Sequence, residues 1–88
     1  MRRIYKYQIP FHINGIMRLP KNWAAMSYQL QGDVPTLWAS VDPEEDVLGY
    51  EFCWLATGDK IPNNFSYQHT FQEGAYVWHL YINTGFYI

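Results

Sequence analysis

Three histidines, His12, His69 and His79, are the only side chains with ring nitrogens able to bind a metal or move a proton near neutral pH. A zinc centre needs at least three convergent protein ligands. None is spaced for it: His69 and His79 fall on opposite faces of a proposed hairpin, and His12 has no carboxylate nearby in sequence. Hydrolytic chemistry needs a nucleophile or paired carboxylates held together. Asp42, Glu44, Glu45 and Asp46 run through one loop beside Pro43, without the glycine and terminal glutamate of an EF-hand. Thr57-Gly58-Asp59-Lys60 lacks the spacing of a phosphate-binding loop. The sole cysteine, Cys53, excludes an intramolecular disulfide, and between Phe52 and Trp54 it reads as a small hydrophobe rather than a reactive thiol. These residues predict no metal, no cofactor and no catalytic group. The expectation is a protein that is not an enzyme.

Aromatic residues interleaved with cations are the more suggestive feature. Eight Tyr, five Phe and four Trp make 19% of the chain, more rings than so small a core hides easily. Tyr and Trp stack on bases and serve as rigid interface anchors. Tyr5 and Tyr7 flank Lys6, Trp38 and Trp78 are candidates for a wall or pocket, and Arg3 and Arg18 offer guanidinium groups to phosphate or carboxylate. Arg3, Tyr5, Tyr7, Arg18, Trp38 and Trp78 are therefore the candidate binding residues.

Bulk properties narrow the partner. At 88 residues, the chain fits one domain spanning 1–88, small enough for a homo-oligomer to be the expected supplement to its core. Hydrophobic residues make up 49% and charged residues 16%, which argues against disorder. A net charge of −2 gives no global pull towards nucleic acid, which is not an expected partner. The charge is uneven, however: every cation but Lys60 lies at or before Lys21, and the acids begin at Asp33. No signal peptide is visible and no run of about 18 apolar residues occurs, so a soluble, cytoplasmic protein without a membrane partner is expected.

The elements that must position these residues read as strands. Prolines, glycines and β-branched or aromatic residues alternate in an all-β rhythm. Arg3–Ile9 places Tyr5, Tyr7 and Ile9 on one face. Asn14-Gly15 is a hairpin signal that would pair Ile13 with Ile16. Trp23–Gln31 is assigned as strand by its alternation after Met26, with Met26, Tyr28 and Leu30 on one face, against a rival helix favoured by Ala24 and Ala25. Gly32-Asp33 turns into Thr36–Val41, whose Leu37, Ala39 and Val41 share a face. Tyr50–Thr57 follows. Ser66–Gln72 and Ala75–Ile82 form a second hairpin. A Glu73-Gly74 turn would set Phe71 opposite Tyr76, His69 opposite Trp78 and Tyr67 opposite Leu80. The apolar tail after Asn83 is expected to dock on its own sheet or on a neighbouring protomer. About seven short strands predict an all-β fold, a small antiparallel β-sandwich or a partly open barrel.

The order of short segments carries a resemblance. Ile4-Tyr5-Lys6-Tyr7 is followed by Leu19-Pro20, Leu37-Trp38-Ala39-Ser40-Val41-Asp42-Pro43, Ala56-Thr57-Gly58 with Ile61-Pro62, Thr70-Phe71-Gln72 and Val77-Trp78-His79. This pattern, from Ile4 to His79, resembles a family of small single-domain bacteriophage proteins without an assigned activity. The resemblance implies a phage accessory protein in the host cytoplasm and assigns no functional residue. Such proteins often act by occupancy. The leading expectation is a protein that binds and inhibits a host protein, with the host's defence proteins among the candidates. The alternative is an oligomeric sponge that sequesters a small nucleotide ligand, with Arg18 or Arg3 on its phosphate and a Trp or Tyr on its base.

Overall fold

A computed structural model describes residues 1–88. Seven strands and no helix make up the chain: β1 (Arg3–Gln8), β2 (Gly15–Pro20), β3 (Ala24–Gln31), β4 (Val34–Val41), β5 (Val47–Ala56), β6 (Phe65–Glu73) and β7 (Tyr76–Asn83). They form two antiparallel sheets, ordered β1-β4-β3 and β2-β5-β7-β6. The result is an all-β sandwich and not a closed barrel.

Period-two alternation explains the core. Leu37, Ala39 and Val41 are fully buried on β4, facing Leu19, Leu80 and Ile82 of the other sheet. On β5, Tyr50 and Phe52 are buried while Glu51 is exposed. Each large apolar side chain removed from water contributes about 1.5–3 kcal/mol. Gly32 and Asp33, with φ of 55° and 65°, form the two-residue β3–β4 turn that the sequence predicts.

The Asn14-Gly15 hairpin does not form. β2 pairs with β5, Ile16 lying opposite Glu51, and neither Asn14 nor Gly15 has a positive φ. The segment from Ile9 to Asn14 instead carries the chain from one sheet to the other. Burial decides this. Ile9 is 1% exposed and donates its N–H to Pro35 O at 2.8 Å. Phe11 packs 5.0 Å from Trp54 and 6.1 Å from Phe71. Two anchored apolar residues on the core side outweigh a local turn preference. The left-handed backbone falls on His12, with φ 70°.

Two bulges revise other sequence-level expectations. On β3 the register shifts between Ala25 and Ser27, which leaves Met26 exposed rather than on the face of buried Tyr28. Leu30 is exposed as well. On the second hairpin the turn sits one residue later, at Gly74-Ala75, with Glu73 opposite Tyr76. Positive φ at Gly74 alone, 59°, is the pattern of a type II′ turn, which wants glycine at its first central position. Phe71 therefore faces Trp78, and His69 faces Leu80. A shift between Tyr67 and His69 then sets Tyr67 opposite Tyr81, where their rings lie 5.7 Å apart. The expected ladder survives in part.

The tail docks on its own sheet. Ile88 O accepts from Gly49 N at 2.6 Å, and Ile88 N donates to Gly49 O at 2.8 Å.

Candidate functional site

Each sheet has two edges, and the sandwich treats its two seams differently. Along one, β3 meets β6. Tyr28 donates its hydroxyl to Gln68 Oε1 at 2.8 Å and stacks on His69 at 5.7 Å. Along the other, β1 and β2 leave a groove of about 460 Å³, lined by Lys6, Tyr7, Gln8 and Pro10 from one side and Gly15 to Arg18 from the other, with Ile13 at its end. Phe52 and Met17, 7% and 6% exposed, form the apolar floor. Ile13 and Ile16 stand half out of it, 50% and 47% exposed.

Electrostatics give the groove a sign. Lys6 and Arg18 are its only charged lining residues. Neither belongs to the chain's two ion pairs, Met1–Asp42 and His12–Glu73. Lys6 Nζ donates to the neutral amide of Gln31 at 3.0 Å. Tyr7 is half-buried, and burial, with Tyr5 as a smaller contribution, pushes its phenol above the ordinary range. It stays a neutral donor at the groove wall. Gly15 sits close to the floor: a Cβ there would meet the Phe52 ring at 3.1 Å.

Of the six sequence candidates, the structure brings Tyr7 and Arg18 together here. Arg3 lies at the far end of β1 beside Met1, Pro43 and Glu44. Tyr5 shares the inward face with Tyr7 and is 41% exposed. Trp38 is half-buried on the opposite face of β4, paired with Lys6 and Ser27. Trp78 lies at the β6–β7 hairpin, edge-on to His12 at 5.1 Å, stacked on Tyr76, and donating to Glu73 Oε1 at 3.1 Å. Sequence reasoning missed Ile13, Ile16, Met17 and Phe52 as lining residues. The alternation of Ile16 and Arg18 against Met17 and Leu19 carried that signal.

A second constellation also escaped it. On the outer face of the four-stranded sheet, Tyr67 OH contacts Thr70 Oγ1 at 2.7 Å, and Thr70 Oγ1 contacts His79 Nδ1 at 2.8 Å. His79 Nε2 contacts Thr57 Oγ1 at 3.0 Å beside a cavity of about 220 Å³. Activating a hydroxyl in this way calls for a carboxylate behind the imidazole. Here a neutral threonine holds that place. Asp59 Oδ2 accepts from Ala56 N at 2.8 Å and belongs to the turn. No buried side-chain nitrogen or oxygen is left without a partner anywhere in the fold. The network is satisfied internally and ties β6 and β7 to Thr57, just after the end of β5.

The remaining chemical candidates are placed plainly. Cys53 is 8% exposed, and burial, with Glu51 secondary, pushes its thiol up, away from a reactive thiolate. Asp42 Oδ1 accepts from Glu44 N at 3.0 Å, so the acidic loop is an ordinary Asx-type turn. No three His, Cys, Asp or Glu side chains converge as a metal-ligand group. No helix is long and apolar enough to cross a membrane.

A family model described as a domain of unknown function, DUF7352, matches residues 1–86. No curated protein and no solved structure matches the chain.

Proposed function

We propose that this chain, which belongs to the family of the domain of unknown function DUF7352, acts by occupancy: it binds a host protein in the bacterial cytoplasm and takes it out of play. The observation that carries this reading is the open β1/β2 seam. There, two sheet edges, an apolar floor and two cations without an ion-pair partner meet, with no carboxylate among the lining residues. An edge strand exposes unpaired backbone donors and acceptors, and apolar side chains beside it add affinity once water is expelled. Turnover would need a polarised nucleophile or acid–base pair, and the two hydroxyl contacts of the His79 imidazole have no carboxylate behind them. The phage and host assignments come from the sequence resemblance.

One observation favours a second reading. The groove volume falls in the range of small-ligand sites, and Arg18 and Lys6 suit phosphate while Tyr7 suits a base. In that reading the protein, as an oligomer, sequesters a nucleotide. Native mass spectrometry of tagged protein isolated gently from infected cells separates the two. A stoichiometric host polypeptide supports masking. Extra masses of a few hundred daltons, with heat stabilisation by the matching nucleotide, overturn it in favour of sequestration.

A further inference from the structure

We infer that the open seam takes an extended, acidic segment of the partner protein, which adds to β1 as a new strand and sets its carboxylates against Lys6 and Arg18. This rests on the masking function proposed above and specifies its chemistry.

Edge strands invite pairing with another chain, and proteins commonly blunt them with bulges, prolines or covering elements. Three of the four edges here are blunted. β3 and β6 each carry a bulge and cover one another through Tyr28, Gln68 and His69. β2 begins at Gly15 and ends at Pro20, which has no N–H to offer. β1 has no bulge, proline or cover, and its one guard at the groove is the charge of Lys6. Its six residues, Arg3 to Gln8, hold an unbroken register with β4, contain no proline and have no neighbour on the other side. Half of its backbone groups must therefore point into the seam.

Charge then selects the occupant. A strand laid along β1 alternates its side chains between the two faces. One set falls on the apolar floor of Met17 and Phe52. The other set meets the rim, where Arg18 and Lys6 stand without a counter-ion, the Lys6 ammonium held only by the neutral amide of Gln31 and free to exchange it for a carboxylate. Basic segments are repelled, and wholly apolar ones leave two cations partly desolvated and unpaired. A segment that alternates acidic and apolar residues satisfies both faces. Backbone pairing supplies affinity and the two cations supply the choice.

The test uses the full chain, labelled with nitrogen-15, and three capped ten-residue peptides of valine alternating with glutamate, glutamine or lysine. The glutamate peptide is expected to shift the amide resonances of β1 and β2, to slow amide exchange on β1, and to bind more weakly as salt rises. Lys6→Glu and Arg18→Glu are each expected to weaken it by roughly tenfold. The double variant is expected to prefer the lysine peptide. That exchange of preference separates charge recognition from damage to the fold. Equal response to the three peptides, or shifts without slowed exchange on β1, overturns the strand mode. If a host polypeptide co-purifies while β1 stays unprotected, masking stands and only the strand mode falls. If adenosine monophosphate binds the groove and no peptide does, both fall.

Discussion

The two seams of this sandwich solve the same problem in opposite ways. Both sheets end in strands with unsatisfied backbone groups. At the β3/β6 seam, bulges break the strand register and large rings fill the gap: Tyr28 packs on His69, and Phe71, 4% exposed, touches Tyr28, His69, Trp54 and Phe11. At the β1/β2 seam the registers run unbroken and the gap is left as a groove. A closed seam holds the sheets together. An open one leaves β1 and the apolar floor uncovered beside two cations that have no counter-ion. Stability should therefore concentrate on one side of the molecule and recognition on the other.

The largest effect should come from Phe71→Ala. Truncating a buried phenylalanine typically costs about 3–5 kcal/mol, a large share of the stability of so small a domain. Urea unfolding should show the midpoint falling sharply. A loss below about 1 kcal/mol would mean that the β3/β6 side does not hold the sandwich.

Gly15→Ala probes the floor of the open seam. The new Cβ would sit 3.1–3.2 Å from the Phe52 ring, so the strand or the ring must shift. A rigid floor predicts a cost of about 1–3 kcal/mol. A negligible cost in the same unfolding experiment would show that this seam yields, and the contrast between the seams would deepen.

Tyr28→Phe removes the hydroxyl bonded to Gln68 and is expected to cost about 1 kcal/mol at neutral pH. It should also change the alkaline limb. Burial pushes the Tyr28 phenol well above its ordinary value of about 10. Above that pH the unfolded chain releases a proton that the folded chain keeps, so stability falls as pH rises. It is fully present below about pH 10, and each pH unit above can remove at most about 1.4 kcal/mol per such group. Thermal scans from pH 8 to 11 should show a shallower decline in the phenylalanine variant. An unchanged decline would assign the alkaline loss to other groups, Tyr50 and Tyr7 among them.

The smallest stability effect should come from Arg18→Glu. The side chain is exposed and has no ion-pair partner, so a change within about 0.5 kcal/mol is expected. That variant, silent in unfolding, is expected to weaken capture of an acidic partner segment by roughly tenfold.

Much of this architecture was legible without coordinates. The Leu37-Ala39-Val41 stripe, the Gly32-Asp33 turn and the opposite facing of His69 and His79 follow from a period of two, a property that neighbours in sequence impose on each other. The candidate site was half legible. Tyr7 and Arg18 were named as candidates, but the groove that joins them lies between strands that are not hydrogen-bonded, and its floor comes from Met17 and Phe52. Arg3, Trp38 and Trp78 are rings and charges of the right type that the fold sends elsewhere.

By itself the sequence determined that the chain is all-β, where most of its strands run and which residues face the core, because alternation and turn chemistry are local. Only the tertiary structure decided which sheet each strand joins. Asn14-Gly15 invited a hairpin, yet the burial of Ile9 and Phe11 carried the chain across the sandwich. One-residue bulges placed Met26 and Tyr67 where no pattern foretold. These outcomes turn on contacts between residues distant along the chain, where the apolar area removed from water outweighs the preferences of a single turn.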